Sequence, residues 1–203
     1  MNKMENTENK NSLMKYWPIW LVVIAVAALV LINTRKTIVP AEETEYPLSK
    51  SGKVLSMVDP EQFFSAAWFG KKCPDFTVTT IDGKQISLSS FSGKQVMLVC
   101  WATWCPPCRE EIPHLIELRN TIAADKLEII GLSFEDARVV KNFAEGKNIN
   151  YTIAISQPQM LPEPFSKVTA LPTMFVIDAS GNLKIALEGS ISFEQMKGIV
   201  EAQ

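Results

Sequence analysis

Trp101-Ala102-Thr103-Trp104-Cys105-Pro106-Pro107-Cys108-Arg109-Glu110-Glu111 places two thiols close together at a change of hydrophobic pattern. Ahead of it, Gln95-Val96-Met97-Leu98-Val99-Cys100-Trp101 is the continuous apolar run expected of a strand buried on both faces. Behind it, Ile112, Leu115, Ile116, Leu118 and Arg119 recur among polar positions with helical spacing. Cys105 therefore falls where a strand hands over to a helix. Thiols at this spacing can close a disulfide, and on a helix they share a face one turn apart. The unpaired N–H groups and macrodipole of a helix N-terminus favour negative charge, so Cys105 is expected to be the exposed, low-pKa nucleophile. Cys108 is expected to be shielded and to attack the mixed disulfide that Cys105 forms. Pro106 and Pro107 suit a first helical turn, where a missing N–H costs little, and Pro113 should kink the helix.

The chain has 203 residues, 47% of them hydrophobic, enough for one globular domain plus an appendage. Its net charge of −2 shows no basic excess of the kind a nucleic-acid partner requires. Four cysteines do not make a disulfide-dense scaffold, and with His114 the only histidine a zinc site would have to recruit dispersed groups. Cys100, inside the apolar run, reads as an inert small hydrophobe. Cys73 is a leftover thiol, for which a bridge to Cys100 is one reading. His114 is expected on an exposed helix face.

Residues 1–15 are polar and read as a disordered tail. Tyr16 to Ile32 carries no charge, and at ~1.5 Å rise per residue it spans roughly 25 Å, at the short end for a bilayer core. An uncleaved transmembrane anchor is expected there, with Tyr16, Trp17 and Trp20 at one interface and Arg35 and Lys36 at the other. Residues 33–68 turn acidic and polar and fit a stalk, ending in a short helix from Asp59 to Trp68. Residues 69–203 form the globular domain. Phe76–Thr80 and Gln85–Leu88 around Asp82-Gly83 read as a β-hairpin. Leu127–Ser133 reads as a second buried strand, Asp136–Ala144 as a helix capped near Glu135, and Tyr151–Ile155 as a short strand. Met174–Asp178 and Leu183–Leu187 are further strands, and Ser192–Ala202 is a closing amphipathic helix. The class is α/β.

The Trp-Cys-Pro-Pro-Cys run followed by Pro113 resembles the thioredoxin superfamily. Pro74-Asp75-Phe76, Ile81-Asp82-Gly83-Lys84, Phe91-Ser92-Gly93-Lys94 and Trp101-Ala102-Thr103-Trp104 resemble its membrane-anchored TlpA/ResA-type branch, from about Phe69 to the C-terminus. The resemblance implies a thioredoxin-like fold, a central mixed sheet flanked by helices, with an N-terminal hairpin and a helix-strand insertion. It implies that Leu171-Pro172-Thr173 is the family's cis-proline loop, with Pro172 cis and with Leu171 and Thr173 lining a substrate surface shared with Trp104, Pro106 and Pro107. It places Glu111 beside the thiols, where the residue pattern alone suggests a solvated charge favouring the helix dipole. Glu135 resembles a second family acid near the site.

The resemblance further implies a thiol-disulfide oxidoreductase without a cofactor, anchored in the cytoplasmic membrane and facing the extracytoplasmic side. Its partners would be disulfide-containing exported proteins, apocytochrome c among them, and a membrane donor of thiols. Two prolines without charge between the cysteines, with an acid nearby, favour a reducing couple. The alternatives are a disulfide-introducing oxidase on the same fold, or a Cu(I)-binding metallochaperone using Cys105, Cys108 and Met174 or His114. A peroxidase on a related fold would need a threonine-containing motif ahead of its cysteine, which is missing.

Overall fold

In the computed structural model, Leu21 and residues 66–202 are described. Apart from Leu21, the tail, anchor and most of the stalk expected from the sequence lie outside the described residues, as does the start of the Asp59–Trp68 helix, of which Ala66–Trp68 is a 3-10 turn. No helix among the described residues is long and apolar enough to cross a membrane.

Seven strands form one mixed sheet in the order β2-β1-β5-β4-β3-β6-β7. They are β1 (Thr77–Thr80), β2 (Gln85–Ser87), β3 (Gln95–Trp101), β4 (Leu127–Ser133), β5 (Thr152–Ile155), β6 (Thr173–Ile177) and β7 (Leu183–Glu188). Among residues 66–202 the α-helices are α1 (Pro106–Thr121), α2 (Ala137–Gly146) and α3 (Phe193–Glu201). β3 runs parallel to β4 from Gln95↔Leu127 to Trp101↔Ser133 and antiparallel to β6 on its other side. That central position is why Val96 to Trp101 are all buried.

Side chains alternate across a strand, so β3 feeds both faces of the sheet. Met97 and Val99 meet Leu115 and Leu118 of α1 and Met196, Ile199 and Val200 of α3. Trp101, on the same parity, meets Val140 and Ala144 of α2, and its ring lies 5.6 Å from that of Phe143. The two crossovers, β3-α1-β4 and β4-α2-β5, advance in the same direction along the sheet, and right-handed connections of that kind put both helices on one face. Val96, Leu98 and Cys100 enter the opposite cluster, to which none of the three helices contributes a residue. Phe165 of the segment before β6 covers that face, with its ring 4.8 Å from Phe76 and 5.0 Å from Phe175. The expected flanking helices are thus gathered on one side, with irregular chain on the other.

Element ends correct several expectations. Asp136, not Glu135, caps α2, its carboxylate accepting from the Arg138 N–H at 2.9 Å. Ser192 and Gln195 form a reciprocal capping box at α3, which stops the backbone donors of its first turn from going unpaired. Arg119 does not belong to the apolar stripe of α1; its guanidinium donates to the Leu127 carbonyl at 2.5 Å and to that of Ile122, tying the helix end to β4.

Gly131 in β4 lies under this helical face. A Cβ there would meet Ile153 Cδ1 at 2.8 Å, Trp101 Nε1 at 3.0 Å and Tyr151 Cε2 at 3.2 Å. Gly131→Ala is therefore expected to destabilise the fold by about 1–3 kcal/mol through overpacking, read from the midpoint of urea unfolding.

Candidate active site

β3 delivers the chain into the site, and Ala102, Thr103 and Trp104 turn it into α1. Cys105 is the N-cap of α1 in extended backbone, φ −85° and ψ 111°, with proline in the first helical turn. Its sulfur accepts from the Cys108 backbone N–H at 3.3 Å, a bond normally given to a serine or aspartate cap. The two sulfurs are joined, S–S 2.08 Å, with the Cα atoms 5.3 Å apart.

Cys105 and Cys108 are almost equally covered, 3% and 2% exposed, so the expected contrast between an open first thiol and a shielded second one is absent from the disulfide form. The reason is packing. Both cysteines belong to one apolar cluster with Ile112 and Val140, and Leu171 packs against it. In the disulfide neither sulfur titrates, so the lowered pKa expected at a helix N-terminus belongs to the reduced form. Trp104 beside the pair is 69% exposed, Pro106 is exposed and Pro107 half-buried, making an open rim around a covered bond.

The Leu171–Pro172 peptide is cis. The Leu171 carbonyl oxygen lies 3.7 Å from Cys105 Sγ, close enough to accept from that thiol once it is reduced. Pro172 is buried, and its carbonyl accepts from the Gly189 N–H at 2.8 Å. Thr173 is fully buried and turns its hydroxyl to the Ala170 carbonyl at 2.8 Å, so its side chain is spent inside the loop and does not line a surface.

The two acids are held by different parts of the chain. Glu111, one turn beyond Cys108, is 1% exposed, and its Oε1 accepts from the Ile191 N–H at 3.1 Å. Burial pushes its carboxyl up from 4.5 to about 7, against the lowering pull of that bond. It is not a solvated first-turn charge. Tyr151 packs nearby, and its phenol is pushed up by burial and by the charge of Glu111. Glu135 grips the turn that carries the cysteines: Oε2 accepts from the Thr103 N–H at 2.6 Å and Oε1 from the Thr103 hydroxyl at 2.8 Å. The Thr103 hydroxyl ahead of Cys105 was not singled out in the sequence; threonine two residues from a nucleophile carries no signal until its partner is known.

The other cysteines are outside this chemistry. Cys73 and Cys100 are buried free thiols, so the bridge considered between them is not formed. Burial pushes both up to about 12, which leaves little thiolate to react. Met174 lies among Met97 and Val99 in the core under α1 and α3, outside the cluster that holds the cysteine pair. His114 is half-buried rather than exposed, and its Nδ1 has no hydrogen-bond partner. Among the described residues no group of three or more His, Cys, Asp or Glu side chains is placed to hold a metal ion.

Residues 69–186 match the family described as AhpC/TSA. The chain belongs to that family. Within it, the thiol-disulfide oxidoreductase ResA of Bacillus cereus is 35% identical over 133 residues, covering 65% of this chain and 76% of that one. The crystal structure of a thiol:disulfide interchange protein, a thioredoxin family protein from Chlorobium tepidum TLS, superposes with a TM-score of 0.57 at 33% identity, covering 64% of this chain and 93% of that one. StoA from Bacillus subtilis shares the fold, with a TM-score of 0.55 at 23% identity over 63% of this chain and 97% of that one. With a closed Cys105–Cys108 pair at the start of α1, this member of the family is a thiol-disulfide oxidoreductase of the ResA type.

The buried acid has a measurable consequence. A carboxyl whose folded pKa is raised holds its proton more tightly in the folded chain, so the stability it confers is present below the unfolded value of about 4.5 and is lost as pH rises through about 7. Relative to Glu111→Gln, the oxidised wild-type protein is expected to lose about 3 kcal/mol of unfolding free energy between about pH 4 and about pH 8, measured by urea denaturation of both proteins.

Proposed function

We propose that the protein is an extracytoplasmic disulfide reductase, in which Cys105 attacks the client and Cys108 resolves the intermediate. The reading is carried by one observation: the disulfide sits at a helix N-cap facing the Leu171 carbonyl, with a protonatable carboxyl buried one turn behind Cys108.

In the reduced protein, the Cys105 thiolate is stabilised by the Cys108 N–H and the α1 dipole. It attacks one sulfur of a client disulfide, and the other client sulfur leaves as a thiolate and takes up a proton. Cys108, having lost its proton, attacks Cys105 Sγ, the second client thiolate departs, and the Cys105–Cys108 disulfide closes. Two electrons have passed to the client. Glu111, near its titration point at neutral pH, is suited to take the Cys108 proton and return it when the pair is reduced again. As an anion it also disfavours thiolates beside it, which destabilises the reduced pair and makes the couple more reducing. Glu135 acts through Thr103 and is a positioning residue. Trp104, Pro106, Pro107 and Leu171 form the surface on which the client lies, with the buried cis Pro172 shaping the loop behind Leu171.

The uncharged run Tyr16–Ile32 supports a single membrane anchor, and the resemblance to the membrane-anchored TlpA/ResA-type branch supports a catalytic domain on the extracytoplasmic side. Electrons there must arrive through a membrane dithiol donor. The clients are exported proteins carrying disulfides, with apocytochrome c among the candidates because its paired cysteines must be reduced before haem attachment.

Cys105→Ser is expected to abolish exchange, whereas Cys108→Ser retains one attack and accumulates a mixed disulfide with the client, visible on non-reducing gels and by mass. A Cys108→Ser protein active over many turnovers would sink the two-thiol scheme. A reduction potential near the thioredoxin value of about −270 mV supports the reducing direction, and one near the DsbA value of about −120 mV reverses it.

A further inference from the structure

Next to the cysteine pair, the pairing of β1 with β5 stops early. Only Thr79↔Ile155 and Thr80↔Ala154 are paired, although β1 continues against β2 as far as Thr77↔Ser87. The next antiparallel partners would be Val78 with Ser156 and Thr77 with Gln157. The chain after Ile155 instead follows β4, the Ser156 N–H donating to the Ser133 carbonyl at 3.1 Å. The two strands therefore splay, and a groove of about 290 Å³ opens between them. Thr77, Thr79, Ile155, Gln157 and Met160 line it, with Glu135 its one ionisable lining residue.

Three features bear on docking here, and the first ties the groove to the disulfide. Glu135 also holds the Thr103 N–H at 2.6 Å, so the groove wall is bonded to the turn that carries Trp104 and Cys105. Met160 is 74% exposed and Trp104 69%, large apolar side chains whose surface a bound client would take out of water. β1 is paired with β2 from Thr77 to Thr79 and lacks a β5 partner beyond Thr79, the condition under which an extended segment can add alongside a strand.

We propose that this groove docks an extended segment of the client next to its disulfide, selecting an apolar side chain for Met160 and Ile155 and a basic one for Glu135. This rests on the reductase reading above and adds to it a basis for client choice. Glu135 accepts from Thr103 and Ser133, which leaves carboxylate acceptor capacity and its negative charge for a lysine or arginine. In an extended client, alternate residues share a face, so an apolar and a basic residue two positions apart both face the groove that Met160 and Glu135 line.

The test uses the full chain with two substrates: a disulfide-bonded peptide carrying leucine and lysine two positions apart beside one cysteine, and hydroxyethyl disulfide, which is small and uncharged. Met160→Ala removes the apolar wall, and Thr77→Lys places a positive charge in the groove. Each is expected to lower kcat/KM for the peptide about tenfold, the scale of one lost contact at a binding surface, and to leave hydroxyethyl disulfide reduction unchanged. A peptide in which glutamate replaces the lysine should be a correspondingly poor substrate for the wild type. Unchanged peptide kinetics in both variants, or equal losses on both substrates, overturn the proposal. So does a Met160→Ala effect confined to self-association or to recharging by a dithiol donor, which would give the groove to a second copy or to the donor. A wild-type protein that reduces neither substrate overturns the reductase reading itself.

Discussion

The Cys105 sulfur is at once the cap of α1 and half of the disulfide, and the rest of the site depends on that double duty. An N-cap atom has a fixed place relative to the first helical turn, because it must reach a backbone N–H there, and the Cys108 N–H is the one it takes. The same geometry brings the second sulfur within bonding distance. The cap is in turn fixed to the sheet, since only Ala102, Thr103 and Trp104 separate it from a strand paired on both sides along its length. Glu135 removes the freedom left in those residues by holding both the N–H and the hydroxyl of Thr103.

Burial then divides the chain's four cysteines into two kinds. Cys73 and Cys100 lie in the cluster on the helix-free face, where desolvation pushes their thiols far up. Cys105 and Cys108 are also covered, but they sit beside exposed Trp104 and Pro106, and the first of them is bonded to a helix terminus. Low exposure alone does not separate a reactive sulfur from an inert one; the nearby dipole and the proximity of the surface do. The same desolvation acts on Glu111 with a different result, because a carboxyl raised to about 7 is poised to exchange a proton where a thiol raised to about 12 is silenced.

Much of the fold was legible in the chain. The run from Gln95 to Trp101 announced a strand buried on both sides, and Asp82-Gly83 announced the turn of the hairpin, with Gly83 at a φ of 81° that favours glycine. What escaped were assignments that depend on a partner distant in sequence. Arg119 sat at an apolar position of α1 because its guanidinium reaches two carbonyls near β4. The cap of α2, expected near Glu135, is Asp136, and the partner of Glu135, expected only as an acid near the site, is Thr103. Thr173 read as a surface residue because of the loop it belongs to, although its hydroxyl closes that loop from inside.

By itself the sequence determined the local events: two sulfurs one helical turn apart, a strand ahead of them, prolines that set the first turn, and apolar periods that name the elements. These are set by neighbours along the chain, and short-range sterics and hydrogen bonding suffice to fix them. Only the tertiary structure decided that Glu111 is buried and protonatable, that both sulfurs are covered in the disulfide, that the helices share one face, and that β1 and β5 part beside the site. Each of these turns on desolvation or on pairing between segments far apart in the chain, and a local pattern does not say which distant surface will exclude water from a given side chain.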